Sequence, residues 1–211
     1  MPYNDGSEHF PAALKLLIAG GFGVGKTTFV GAVSEIAPLR TEELLTMASV
    51  GTDDLSGVER KSTTTVAMDF GRITISADYV LYLFGTPGQE RFWFMWDELC
   101  NGAMGAVVLA DTRRLEDCFA AVDFFESRGI DFLVAVNQFE TAFRYDAGDI
   151  RGALDLKPQI PVIFCDARDR KSAVGVLISL IRYLLDTRAD EPSPPVAALS
   201  DRPSLDNGAP A

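Results

Sequence analysis

The sequence has few of the residues that build metal centres or disulfide frameworks. Its 211 residues include one histidine, His9, and three cysteines, Cys100, Cys118 and Cys165, which stand far apart in apolar surroundings. This pattern gives no zinc-binding spacing and is typical of buried thiols in a reducing compartment. Long apolar runs are also missing, as are the basic and apolar regions of a signal peptide and a cysteine near the end for prenylation. We therefore expect a cytoplasmic protein with no direct membrane anchor.

Positive charge is scarce. The chain carries 30 acidic and 19 basic residues, which give a net charge of −11. An acidic surface repels phosphate backbones and anionic lipid headgroups, so the balance argues against nucleic acid or a membrane as the main partner. A small anion site can still be locally positive.

One glycine-rich stretch carries the strongest chemical signal. The run LLIAGGFGVGKTTFV matches the phosphate-binding pattern G-x-x-x-x-G-K-[ST] at Gly20, Gly25, Lys26 and Thr27. Its glycines let backbone N–H groups converge on a β-phosphate at the start of a helix. Lys26 would reach the β- and γ-oxygens, and the Thr27 hydroxyl would ligate Mg²⁺. A dinucleotide fingerprint fails, because Lys26 stands where a third glycine is needed. The predicted nucleotide-binding residues here are Gly21, Gly23, Val24, Gly25, Lys26, Thr27 and Thr28.

The order of patterns along the chain predicts an α/β fold. We expect a flexible leader over residues 1–12, a single domain over 13–186 and a disordered tail rich in Pro, Ser and Asp over 187–211. Within the domain, residues 39–64 form a long connection in which TEELLTMA is predicted as a short helical turn. A hairpin follows over residues 65–84, with its turn at Ala77-Asp78, and strands then alternate with helices. This alternation indicates a doubly wound, mostly parallel sheet with one antiparallel edge strand.

Four further segments stand near the ends of predicted strands: KSTTTVAMDF, GTPGQERF, NQFE and CDAR. With the phosphate loop, they make residues 14–186 resemble a Ras-like small GTPase, a P-loop NTPase. The chain looks most like the GTPases of actinobacterial conservon operons, which are related to the bacterial polarity GTPase MglA. The resemblance implies a cytoplasmic GTP/GDP switch that uses Mg²⁺ and hydrolyses GTP slowly when alone. It also implies a Roadblock/LC7-type regulator and recruitment to the membrane periphery by a membrane sensor-kinase complex.

The resemblance assigns roles to residues around the γ-phosphate. Thr65, four residues before Asp69, takes the place of the threonine that closes over Mg²⁺, although Thr63 and Thr64 are neighbouring alternatives. Gly88 would give its N–H to the γ-phosphate, and Gln89 would orient the attacking water, so Gln89 and Lys26 are the predicted catalytic residues. The predicted metal ligands are Thr27 and Thr65.

The resemblance also assigns a base-recognition site. Asn137 fits the family's N-K-x-D motif, whereas Gln138 replaces the lysine and Glu140 replaces the aspartate. Glu140 keeps a carboxylate that can accept hydrogen bonds from guanine N1 and N2. The remaining predicted contacts come from CDAR, with the Ala167 N–H aimed at guanine O6 and flanked by Asp166 and Arg168.

One departure concerns the metal. Gly85 stands where the family has the aspartate that holds Mg²⁺ through water, and nothing at position 85 can do that job. Asp111 is a nearby carboxylate, for which a loop-capping role is the simpler interpretation. Arg60 is a candidate arginine finger in cis, although an exposed loop arginine is usually only solvated.

Three functions stay open. The chain can be a GTPase switch, a guanine-nucleotide-binding interaction module with little or no hydrolysis, or a P-loop ATPase or kinase. Retention of Gln89 favours the switch, because a pure binder has no need of that side chain. The aromatic run RFWFMWDEL has two explanations: a core stripe through Phe92, Met95, Trp96 and Leu99, or an exposed patch that a partner reads.

Overall fold

The computed structural model describes residues 10–37, 39–46, 63–88 and 94–190. Seven strands are present in this part of the chain: β1 Ala12–Ala19, β2 Leu39–Thr46, β3 Thr63–Thr74, β4 Tyr79–Gly85, β5 Gly105–Ala110, β6 Phe132–Asn137 and β7 Val162–Cys165. The helices are α1 Lys26–Val33, α2 Phe94–Cys100, α3 Phe119–Arg128, α4 Ala147–Ala153 and α5 Arg170–Asp190, with a 3-10 turn at Leu115–Cys118.

The strands form one sheet in the order β2-β3-β4-β1-β5-β6-β7. β3 runs antiparallel to both of its neighbours, and the pairs from β4 to β7 are parallel. The predicted mostly parallel α/β sheet is therefore confirmed, and so is the hairpin that forms β3 and β4.

The predicted helical turn at TEELLTMA is wrong, because residues 39–46 form strand β2 at the edge of the sheet. β2 pairs with β3 from Leu39 opposite Phe70 to Thr46 opposite Thr63. Without β2, the outer edge of β3 would present a row of unpaired N–H and C=O groups. Pairing with that edge outweighs the weak helix preference of a segment this short.

The core lies on both faces of the sheet because successive side chains of a central strand point to opposite sides. On β1, Leu16 and Ile18 pack with α1 and α5, while Leu17 and Ala19 pack with α2, α3 and α4. The three cysteines are free thiols, and burial raises the pKa of Cys118 and Cys165 to about 12. Those two thiols therefore stay protonated at neutral pH.

The structure describes part of each end of the predicted domain. Helix α5 continues to Asp190, past the predicted domain end at residue 186, while the rest of the predicted tail and residues 1–9 of the leader lie outside the described residues.

Trp96 and Leu99 are buried against α3 and β5, as a core stripe requires, whereas Phe92 lies outside the described residues. None of the described helices is long and apolar enough to cross a membrane.

A substitution in α5 tests the packing of this helix. Leu180 is fully buried, so Leu180→Ala removes apolar contacts and should lower the free energy of unfolding by about 2–5 kcal/mol. Ile178 lies on the same helix with 44% of its surface exposed and is the matched control. Ile178→Ala should cost less than about 1 kcal/mol. Urea denaturation followed by circular dichroism measures both, and equal losses would contradict this orientation of α5.

Candidate functional site

The phosphate loop between β1 and α1 lies so close to its neighbours that side chains are excluded. A Cβ on Gly20, where φ is +130°, would lie 2.3 Å from the carbonyl oxygen of Leu109 in β5. A Cβ on Gly25, where φ is +107°, would lie 2.8 Å from Nδ2 of Asn137 in β6. Both positions need glycine for conformation and for space. The loop is thereby fixed against the carboxyl ends of β5 and β6.

The Lys26 ammonium closes this loop. Its Nζ donates to the carbonyl oxygens of Gly20 and Gly21, each at 2.7 Å. Burial lowers the pKa of Lys26 to about 8, although the charge of Asp69 opposes the shift. An ammonium has three hydrogens, so a third can be donated to a phosphate oxygen when the two carbonyls are satisfied.

Asp69 in β3 lies beside Thr27, at the start of α1. The Thr27 hydroxyl donates to Oδ2 of Asp69 at 2.6 Å, and Asp69 is only 8% exposed. Asp69 pairs across the strands with Gly85, and a Cβ on Gly85 would lie 3.0 Å from Cβ of Asp69. Sequence reasoning did not place Asp69 in the site. The register of the β3–β4 hairpin could have indicated Asp69, because it sets Asp69 opposite Gly85. Gly85 is the residue that departs from the small-GTPase motif.

These residues surround a cavity of about 340 Å³ at the mouth of the phosphate loop. Gly88 forms part of its wall, and a Cβ there would lie 2.6 Å from Nζ of Lys26. A side chain at position 88 would therefore compete with the lysine ammonium for this part of the cavity. The cavity is lined by Phe22, Gly23, Gly25, Lys26, Thr27, Thr28, Asp69, Thr86 and Gly88.

A second cavity of about 380 Å³ adjoins the first. The two share Gly23, Gly25 and Thr28, so they form two halves of one groove. The second half brings together the NQFE and CDAR segments predicted for base recognition, and it also includes Arg113 and Phe139. Its lining is Gly23, Gly25, Thr28, Arg113, Asn137, Gln138, Phe139, Glu140, Thr141, Asp166, Ala167 and Arg168.

Asn137 links the two halves of the groove. This buried side chain donates from Nδ2 to the carbonyl oxygen of Val24 and accepts from the Ala167 N–H at Oδ1, both at 3.0 Å. The predicted role of Ala167 as a donor to a base stays a prediction, because in the structure its N–H is bonded to Asn137. Asn137 thus ties the phosphate loop to the loop that follows β7.

Arg168 joins the carboxylates at the mouth of the second half. Its guanidinium donates to Asp166 at 2.9 and 3.0 Å and lies 3.5 Å from Glu140. Hydrogen bonds from Arg168 hold the pKa of the Asp166 carboxyl below its usual value, and the same bonds raise the pKa of Arg168. The side chain of Glu140 is 84% exposed, so it is free to change partner.

Asp111 lies on the loop after β5 and supports that loop. It accepts hydrogen bonds from the guanidinium and the backbone N–H of Arg113, at 2.7–3.1 Å. Burial raises the pKa of Asp111, but the bonds and charge of Arg113 outweigh burial and hold the pKa below its usual value. The Arg113 guanidinium also lies 3.9 Å from the centre of the Phe139 ring. These contacts agree with the loop-capping interpretation of Asp111.

Gln89 and the candidate finger Arg60 lie outside the described residues. The backbone of Thr65 lies in β3 opposite Leu44. Thr65 lies four positions before Asp69 in this extended strand, which is about 13 Å along it. Because Thr27 lies beside Asp69, the backbone of Thr65 is distant from Thr27, the other predicted metal ligand, and the role of Thr65 on the metal stays a prediction. The described residues contain no group of three or more His, Cys, Asp or Glu side chains that could hold a metal ion by themselves.

Comparison with known sequences identifies the family. The model of a family described as "Conserved hypothetical ATP binding protein" matches residues 18–187. The chain belongs to this family. One relative is the uncharacterized protein MJ1339 of Methanocaldococcus jannaschii, which is 31% identical over 139 residues. That match covers 65% of this chain and 73% of the relative.

Solved structures share the fold. The cytosolic domain of the T. maritima FeoB iron transporter in its GDP form has a TM-score of 0.59 and 17% identity. The match covers 83% of this chain, which spans 64% of the length of that domain. The FeoB G domain of Methanococcus jannaschii, at 15% identity and a TM-score of 0.53, is matched over 82% of this chain and 98% of its own. The chain thus has the P-loop fold found in these G domains.

The pKa of Lys26 predicts proton uptake when a nucleotide binds. Above pH 8 the free lysine is mostly neutral, and a bound phosphate restores its charge. Uptake on binding GDP should be small at pH 7 and reach about half a proton at pH 8, and affinity should fall as pH rises through this range. Calorimetry in two buffers of different ionisation enthalpy measures the uptake. Lys157→Met, at an exposed lysine far from the groove, should leave it unchanged. Proton uptake that does not vary with pH would contradict the lowered pKa of Lys26.

Proposed function

We propose that the protein is a GTP-binding molecular switch that hydrolyses GTP to GDP and phosphate, slowly when alone. The observation that carries the proposal is the two-part groove, in which a phosphate half built by Lys26 and Thr27 continues into a half with carboxylates at its mouth. A nucleoside triphosphate needs a site for its phosphates and an adjoining site for its base. The G domains of similar fold support the same conclusion.

The second half of the groove, which we call the base half, has carboxylates at its mouth. These carboxylates favour guanine over adenine. Guanine presents N1–H and N2–H₂ donors on one edge, and a carboxylate accepts both, whereas adenine has neither group. Glu140 is exposed and close enough to turn into the cavity by releasing its 3.5 Å contact with Arg168. The Arg168 guanidinium would remain bonded to Asp166. ATP, the ligand named in the family's description, is the competing candidate.

A small number of groups would carry out the hydrolysis of GTP. Bound with the nucleotide, Mg²⁺ would neutralise charge on the β- and γ-phosphates. The Lys26 ammonium would donate to the same oxygens, and the Gly88 N–H would orient the γ-phosphate. Gln89, the next residue, would hold the attacking water in line. The arginine that accelerates this reaction would come from a partner or from Arg60.

Partner recognition is the part of the proposal that rests on the resemblance to conservon-type GTPases. A Roadblock/LC7-type regulator and a membrane sensor-kinase complex would read the nucleotide state through the segment after Gly88 and recruit the protein to the membrane periphery. One contact supports such a link: the Trp96 indole in α2 donates to the carbonyl oxygen of Pro87 at 3.2 Å. A shift at Gly88 would therefore be transmitted to α2.

Competition binding tests the choice of base. Fluorescent GDP bound to the purified protein is displaced with unlabelled GTP, GDP and ATP, and guanine nucleotides should compete far better. Glu140→Ala should reduce the preference for GDP over ADP by about ten- to a hundredfold. Glu140→Asp should retain the preference, and Glu98→Ala, at an exposed carboxylate on α2, is the control. Equal competition by ATP would make this an ATP-binding protein.

Hydrolysis is tested separately from binding. Gln89→Leu should leave GTP affinity near the wild-type value and slow phosphate release by about tenfold or more, because water loses its positioning group. The control is Gln159→Leu, which makes the same change at an exposed site away from the groove. Phosphate release is followed in single turnovers, with and without a regulator. Wild-type protein that binds GTP but never releases phosphate would be a binding module.

A further inference from the structure

The phosphate half of the groove contains one carboxylate that no motif accounts for. Asp69 is nearly buried and belongs to β3, whereas the motif residues of this half come from the loops after β1 and β4. We propose that Asp69 supplies, from β3, the carboxylate for Mg²⁺ that Gly85 cannot supply from β4. The proposal rests on the proposed function, because the ion would enter with a guanine nucleotide.

The register of β3 and β4 places Asp69 next to Gly85. Asp69 and Gly85 are cross-strand partners, so their Cα–Cβ bonds point to the same face of the sheet. A Cβ on Gly85 would lie 3.0 Å from Cβ and 3.2 Å from Oδ2 of Asp69. The Asp69 carboxylate therefore lies over Gly85, in the space that a side chain at position 85 would enter.

The contact with Thr27 orients a hydroxyl for an ion. A hydroxyl donates one hydrogen and keeps two lone pairs. Since the Thr27 hydrogen is directed at Oδ2 of Asp69, the lone pairs of its oxygen are available to a cation on the other side. The same arrangement leaves Oδ1 of Asp69 for a direct bond to the ion or for one of the waters that Mg²⁺ retains.

The charges of the cavity support the same assignment. Among the described residues that line it, Asp69 is the one carboxylate and Lys26 the one cation. Mg²⁺ in nucleotide sites is held by one or two carboxylates together with the phosphates. One aspartate and one threonine hydroxyl match that requirement.

A purely structural role for Asp69 makes a different prediction. A carboxylate that only anchors β3 to α1 through Thr27 would matter equally with and without Mg²⁺. A carboxylate that holds Mg²⁺ matters only with the ion. Without the ion it repels the nucleotide's own negative charge, so its removal should tighten binding in chelator or leave it unchanged.

The experiment measures the affinity for fluorescent GDP in millimolar MgCl₂ and in EDTA, with the ratio of the two as the readout. Asp69→Asn keeps the shape and the acceptor for Thr27 but removes the charge. We expect the Mg²⁺-dependent gain in affinity to fall by about tenfold or more, while affinity in EDTA is unchanged or higher. Asp123→Asn, at an exposed carboxylate on α3, should keep the wild-type ratio.

An exchange of the two residues gives a second readout. The double variant Asp69→Gly/Gly85→Asp moves the carboxylate to the neighbouring strand without adding a side chain. It should recover most of the Mg²⁺-dependent gain, and thermal unfolding confirms that each variant is folded. The exchange also keeps the proposal testable if Asp69→Asn does not fold.

The possible outcomes distinguish a failure of the Asp69 proposal from a failure of the proposed function. A wild-type ratio in Asp69→Asn, or an equal loss in MgCl₂ and EDTA, would overturn the role of Asp69 and leave GTP binding intact. A folded exchange variant without a Mg²⁺-dependent gain would also overturn it. Wild-type protein that binds no guanine nucleotide would overturn the proposed function and this inference with it.

Discussion

The buried positive charge of Lys26 is the constraint on which the rest of the site depends. Burial disfavours the ammonium and lowers its pKa to about 8, so the fold must offset that cost with acceptors. Two are backbone carbonyls of the phosphate loop, Gly20 and Gly21, and the charge of Asp69 acts in the same direction. A phosphate is a stronger acceptor than any of these. The free site is therefore held in a state that a bound anion stabilises further.

Rigidity of the loop follows from how closely other elements approach it. Gly20 lies against β5 and Gly25 against Asn137, so neither segment can move without opening a gap in the packing. Asn137 extends the same constraint to the base half, since it bonds to Val24 on one side and Ala167 on the other. The two halves of the groove are thereby coupled through one side chain. At the mouth of the groove, by contrast, the side chain of Glu140 is largely exposed.

The sequence predicts those features that local pattern determines. The phosphate loop is one continuous segment, and the central strands are apolar on both faces, so both were predicted correctly. Strand β2 was missed because its pairing depends on the distant edge of β3. Asp69 was missed as a site residue because a shift of one residue in hairpin register turns every side chain to the other face. The contact between Arg168 and Glu140 joins residues 28 positions apart, which only the parallel pairing of β6 and β7 brings together.

The pairing of Asp69 with glycine follows from the charge that the site can hold. Two carboxylates at these positions would have their Cβ atoms about 3.0 Å apart in a nearly buried setting, where Lys26 is the one cation among the described residues that line the cavity. Like charges that close strongly disfavour joint ionisation, so a second carboxylate here would be costly whenever no cation is bound. A chain that places its aspartate on β3 therefore needs a small neutral residue at position 85. Gly85 is the cross-strand partner of Asp69, and under the proposed role of Asp69 the departure from the small-GTPase motif would be a relocation of the carboxylate.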